Sequence, residues 1–282
     1  MTPDLSTYEK FDAEHREAHA RLQAYIETDR SNGVRLGWGV RGELSIQRKW
    51  QMTANNVLAR IACARRFQEA LLDVPSLRRG QQYSFVTYTS QRFAGPYDPK
   101  IRFETGPLKY AFEEALRRLG AHWAGMIEAG FITRLALNIP QDGSRIISWH
   151  VHAIVWGVGE RKLRAALNKL AQETDLAGRS AIHIQRRALS VAERQSLYIC
   201  KFPLAGQLIA GAKGEMVDWQ TGEIISAKKW LKKDALRTGD LARAAVVLRD
   251  RGVDQLMIAG GDGVQVYRAV QQLLPAKFRD VC

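Results

Sequence analysis

Hydrophobic spacing changes several times along the chain. Tyr8 to Thr28 is polar and charged and predicts a helix, after which Asn32-Gly33, Gly37, Gly39 and Gly42 mark a break. Trp50 to Leu72 predicts a basic amphipathic helix, with Val57, Ile61, Ala64, Gln68 and Leu71 at helical spacing. From Tyr83 to Thr89 the pattern becomes alternating, aromatic and β-branched, which predicts a strand. Pro107 suits the first turn of a helix running to about Glu128, with Phe112, Leu116, Leu119 and Trp123 as its apolar stripe. Phe131 to Ile139 and Arg145 to Trp156 predict two strands, and Pro140-Gln-Asp-Gly143 between them predicts a tight hairpin turn. A helix over Glu160–Thr174 carries Leu163, Leu167 and Leu170, and Ala181 to Arg186 predicts a fourth strand.

Ser190 and Glu193 have the spacing of a capping box, so the next helix is expected from Val191 to about Phe202, before Pro203. The order β-α-β-β-α-β-α predicts an α+β fold, a central antiparallel sheet backed by helices, with helical extensions at both ends. Three regions follow: helical residues 1–79, the sheet-containing residues 80–205, and a basic, helical region over 206–282. In the last, a polar stretch (Gly211 to Lys233) precedes two helices joined around Gly260-Gly-Asp-Gly263.

The chain has 282 residues, 46% of them hydrophobic, which is enough to bury a core without staples. Cys63, Cys200 and Cys282 are scattered and form no CxxC, so a disulfide framework or zinc knuckle is not expected and a reducing cytoplasm fits. No apolar run approaches the roughly 20 residues that cross a bilayer, and the N-terminal residues lack the apolar stretch of a secretory signal. With 42 Lys and Arg against 29 Asp and Glu, the net charge of +13 points to a polyanionic partner, most often nucleic acid.

The sharpest chemical feature is Trp149-His150-Val151-His152-Ala153-Ile154-Val155-Trp156. Residues two apart on a strand share a face, so His150 and His152 stand side by side, with Trp149, Val151, Ala153 and Val155 on the other face. Two adjacent imidazoles can chelate one divalent ion with positions left for substrate oxygens. Equally, they suit two satisfied histidines on a half-buried strand. Tyr198 and Lys201 are three residues apart on the predicted capped helix and share a face with Arg194 and Gln195. A phenol with a pKa near 10 is only about one part in a thousand phenolate at neutral pH, so a nearby ammonium favours the nucleophilic form.

Taken together, Phe85-Val86-Thr87-Tyr88-Thr89, His150-Val151-His152 and Tyr198-Ile199-Cys200-Lys201 resemble, in that order, the motifs of the HUH endonuclease superfamily. They are most similar to the single-tyrosine rolling-circle replication initiators, and the likeness covers residues 80–205. The resemblance implies that His150 and His152 hold Mg²⁺ or Mn²⁺ against a scissile phosphate of single-stranded or hairpin origin DNA. It implies that Tyr198 attacks, leaving a 3′-hydroxyl and a 5′-phosphotyrosyl link, with Lys201 assisting. A host helicase and polymerase would be the remaining partners, because no helicase motor is present. A transposase or mobilisation relaxase shares the chemistry, and a non-catalytic DNA-binding regulator is the reading outside enzymes.

A third metal ligand is expected. A two-residue turn at Asp142-Gly143 would set Leu135 and Thr133 opposite His150 and His152, neither of them acidic, which leaves Gln195, His183 and Gln185, with Gln195 preferred. Gly206 to Lys213 imitates a phosphate-binding loop but has Ala212 before the lysine and Gly214 after it. Candidate DNA contacts are Arg186 and Arg187 at the end of the fourth strand, Arg194, and Lys229 with Trp230, a basic and aromatic pairing suited to single strands. Lys228, Lys229, Lys232 and Lys233, interleaved with Trp230, equally suit an exposed, charged linker. The cluster Arg60, Arg65 and Arg66 fits a solvated helix face or a nucleic-acid contact, and His15, His19 and His122 have no ligand spacing.

Overall fold

A computed structural model describes residues 4–28, 41, 42, 44, 52–100, 102–135, 144–176, 178–210, 216, 217, 224, 225, 230–249 and 251–273. The helices are α1 (Tyr8–Thr28), α2 (Val57–Leu72), α3 (Pro75–Gly80), α4 (Thr105–Arg118), α5 (Glu160–Ala171), α6 (Ala192–Cys200), α7 (Thr238–Val247) and α8 (Val264–Gln271). The strands are β1 (Gln82–Pro96), β2 (His122–Leu135), β3 (Ser144–Trp156), β4 (Ile182–Ala188), β5 (Ala205–Ala210), β6 (Met216–Val217), β7 (Ile224–Ile225), β8 (Trp230–Ala235) and β9 (Met257–Gly260). The fold is α+β, as the pattern predicts.

The central sheet has the order β4-β1-β3-β2-β5-β8, with β9 also pairing β2, while β6 and β7 form a separate ribbon. Pairing is antiparallel except between β2 and β5, which run parallel. That pair departs from the all-antiparallel sheet expected. Three strands beyond residue 204 join this sheet.

Helices cover both faces. Trp149, Val151, Ala153 and Val155 are buried in one core with Leu108, Phe112 and Leu116 of α4 and Leu163, Leu167 and Leu170 of α5. The other core joins Phe85, Met126, Ile154 and Trp156 to Phe67 and Leu71 of α2, Leu197 and Ile199 of α6, and Val266 and Val270 of α8. The apolar spacing of α2 is thus spent inward, and Arg60 goes in with it: it is 2% exposed and donates through Nε to the Ala54 carbonyl. It lies neither on a solvated face nor on a nucleic-acid surface.

Several boundaries differ from those expected, among them the start of α2, which is Val57, with Asn56 as N-cap, rather than Trp50. α4 ends at Arg118 rather than near Glu128, because Gly120 (φ +66°) takes the left-handed conformation that stops a helix, with its N–H on the Arg117 carbonyl. Trp123 and Glu128 therefore belong to β2. The register pairs Arg134 with Ser144 and Glu128 with His150, not Leu135 with His150 as expected; Asp142-Gly143 lies outside the described residues. Ser190 falls in a 3₁₀ turn and makes no capping hydrogen bond to α6, which ends at Cys200. Gly260 closes β9, so a strand, not a helix, precedes the glycine turn.

Candidate metal centre

The register of β2 and β3 assembles the site. Glu128 stands opposite His150, and Met126 opposite His152, so the two histidines share a face with a carboxylate from the next strand. Glu128 also falls between the stretch of β2 that pairs β9 (Trp123 to Met126) and the stretch that pairs β5 (Phe131 to Leu135). The chain leaving α6 passes there on its way into β5, which carries Lys201 to Glu128.

Glu128, His150 and His152 form a group that could hold a metal ion. The two Nε2 atoms are 3.1 Å apart, and Glu128 Oε2 lies 3.6 Å from His150 Nε2 and 3.3 Å from His152 Nε2. Ligand atoms about 2.1 Å from one ion sit roughly 3.0 Å apart in an octahedron and 3.4 Å apart in a tetrahedron, so these separations are of the right size. Each ring is oriented through its other nitrogen: His150 Nδ1 donates to the Ser148 carbonyl at 3.0 Å, and His152 Nδ1 lies 2.9 Å from Thr87 Oγ1. The first bond leaves His150 Nε2 as a lone pair aimed at the group, the arrangement that metal-binding histidines use.

The electrostatics agree. Burial pushes His152 down to about 3, so its imidazole is neutral at physiological pH. Burial alone would raise Glu128, but the Lys201 ammonium and the contacts with both histidines outweigh it and hold the carboxyl well below its usual range. Lys201 Nζ makes a close ion pair with Glu128 Oε2.

Tyr198 completes the cluster. Its ring centroid is 5.0 Å from that of His152, edge-on at 68°, and 6.1 Å from Phe85. Lys201 Nζ sits 3.7 Å over the same ring and also donates to the Tyr198 carbonyl at 3.4 Å. The expected tyrosine–lysine neighbourhood is present, although Lys201 is the extended residue that ends the helix rather than part of its face.

One cavity of about 520 Å³ is lined by Glu128, His150, His152, Tyr198, Lys201 and Arg194 among others. It also reaches His183 and Gln185 of β4, because His183, Thr87 and His152 occupy one row across β4, β1 and β3. Gln195, the third ligand expected, is engaged elsewhere: its Oε1 accepts from the Tyr83 hydroxyl at 2.7 Å and it does not line the cavity, whereas Glu128 stands beside the two histidines. Arg186 and Arg187 are exposed on edge strand β4, where they meet the Gln82 and Gln185 side chains. Trp230 begins β8, with β5 between β8 and β2, and Lys229 lies outside the described residues. Glu128 was missed because a helix drawn through it hides its face; the helix-stopping glycine at 120 was the available signal.

No family model, curated protein or solved structure matches this chain. Among the described residues, no helix is long and apolar enough to cross a membrane.

Proposed function

We propose that this protein is a metal-dependent DNA nickase and strand transferase that uses Tyr198 as its nucleophile on single-stranded or hairpin origin DNA, as in the initiation of rolling-circle replication. The observation that carries the reading is the 5.0 Å approach of the Tyr198 ring to His152, which joins a phenol to a two-histidine, one-carboxylate group in one cavity. The order of motifs and the net charge of +13 support it as well.

Glu128, His150 and His152 would hold Mg²⁺ or Mn²⁺. That ion, when bound, supplies a Lewis acid for a phosphate oxygen and stabilises charge in the transition state. The choice of ion follows from phosphoryl transfer, since the same donors also serve iron and zinc. Tyr198 Oη forms the new bond to phosphorus as the P–O3′ bond breaks. The phenolic proton passes to solvent, and the leaving oxygen takes up a proton to become a 3′-hydroxyl. One phosphodiester replaces another, so the link can be reversed without ATP. Lys201 lies close enough to steady developing negative charge on the phenol. Arg186, Arg187 and Arg194 offer cations to the strand.

The test is incubation of the protein with end-labelled single-stranded DNA of a candidate origin and Mn²⁺. A denaturation-resistant protein–DNA adduct is expected, absent from Tyr198→Phe. Binding without any adduct in the wild type refutes the reading and favours a DNA-binding regulator.

A further inference from the structure

The cavity has a cation whose placement the reaction above does not explain. Arg179 lies in the connection between α5 and β4, outside every motif, and lines the same cavity as the metal group. Its surroundings are built with care. Thr174 and Ser180 form a β-bridge, Asp175 N donates to the Arg179 carbonyl at 2.8 Å, and Ala181 N donates to that of Glu173 at 2.9 Å. Gly178 turns the chain at φ +78°, with its N–H on the Asp175 carbonyl at 3.0 Å. The loop is tied to β1 by Gln91 N on the Thr174 carbonyl and by the Tyr88 hydroxyl on Glu173, each at 2.8 Å.

Within this loop, buried Asp175 holds Arg179 at three points. Oδ1 accepts the Arg179 backbone N–H at 2.9 Å, and Oδ2 accepts Nε at 2.8 Å and Nη2 at 2.7 Å. The acid's side chain is 4% exposed and the arginine's 54%. Among the described residues no acceptor engages Nη1. An arginine normally loses much rotamer freedom when it binds; here Asp175 already fixes the guanidinium of a residue that lines the cavity.

We infer that Arg179 is a substrate-binding residue that anchors a backbone phosphate of a single strand flanking the metal group, with Asp175 as its positioning residue. The inference rests on the reading above for its ligand class. Of the cations lining the cavity, Lys201 is nearly buried against Glu128, whereas Arg179, although paired with Asp175, is half exposed and keeps Nη1 for a phosphate. A planar fork with one edge pinned suits a phosphate oxygen better than a flexible ammonium does.

The experiment measures binding of fluorescein-labelled oligothymidylate to the full chain by anisotropy in EDTA, across a salt series. Arg179→Gln is expected to weaken binding about tenfold and to reduce the salt slope by about 0.7, the release from one phosphate. Arg161→Gln, on exposed α5 surface away from the cavity, serves as the charge control. Arg179→Lys should keep the slope and still bind several-fold more weakly. If Arg179→Gln does not melt cooperatively, Arg179→Lys carries the test. Affinities equal to the control, or a wild type that does not bind the oligonucleotide, overturn the inference; an arginine present only to neutralise Asp175 would lower thermal stability alone. A wild type that shows the Arg179 dependence yet forms no adduct with Mn²⁺ refutes the nickase reading and leaves this inference standing.

Discussion

The Lys201 ammonium rests on the Glu128 carboxylate, joining the end of α6 to the middle of β2. Lys201 and a divalent ion would draw on the same carboxylate, so each affects how the other binds. Without metal, Lys201→Met leaves a buried carboxylate unpaired, which should cost about 3 kcal/mol. Saturating Mn²⁺ should close most of that gap, because the ion stabilises only the folded chain. Urea unfolding of both proteins with and without MnCl₂ checks this. An identical gap under both conditions would separate Glu128 from the metal.

Removing a ligand should have a larger effect on binding than on folding. Glu128→Gln and His150→Ala should each reduce Mn²⁺ affinity by more than about 100-fold, beyond the range seen for residues that only orient ligands. Calorimetric titration measures it, and Gln195→Ala should leave affinity unchanged, since Gln195 is occupied by Tyr83.

Thr87 touches His152 Nδ1 at 2.9 Å and no member of the group more directly. Thr87→Val keeps the β-branched shape and loses only the hydroxyl. Mn²⁺ affinity should fall between about 10- and 100-fold, with the melting temperature little changed. Equal affinity would show that the ring is oriented by packing alone.

His15 connects the N-terminal helix to the segment beyond Lys201. It is fully buried, donates from Nδ1 to the Phe11 carbonyl at 2.7 Å, and accepts the Phe202 N–H at Nε2 at 3.0 Å. Burial pushes it down to about 3 from an ordinary 6.5. The unfolded chain therefore binds this proton first: its contribution is intact above pH 6.5 and is lost as pH falls toward 3, by about 5 kcal/mol in all. Relative to His15→Gln, which can still accept from Phe202, the wild type should lose that much more stability on acidification. Parallel pH profiles would contradict it.

Much of this arrangement is legible in the chain. The alternation through Phe85–Thr89 and His150–Val155 identifies β1 and β3 and puts both histidines on the face away from Trp149, Val151, Ala153 and Val155. Tyr198 and Lys201 follow from helical spacing even though the helix stops between them. Glu128 does not follow from local pattern. Phe112, Leu116, Leu119 and Trp123 continue a helical stripe across Gly120, and Asp142-Gly143 suggests a register that sets Leu135, not Glu128, opposite His150. Pairing at a distance decides that register, and no local propensity encodes it. Arg179 is hidden for a similar reason, because its role depends on a buried acid and a folded loop.

The central claim is that Glu128, His150 and His152 bind one divalent ion beside Tyr198. Anomalous diffraction from crystals soaked in MnCl₂ measures this directly. A manganese peak within about 2.3 Å of Glu128 Oε2, His150 Nε2 and His152 Nε2 is predicted. A peak elsewhere, or none at this group in a fully soaked crystal, would contradict it.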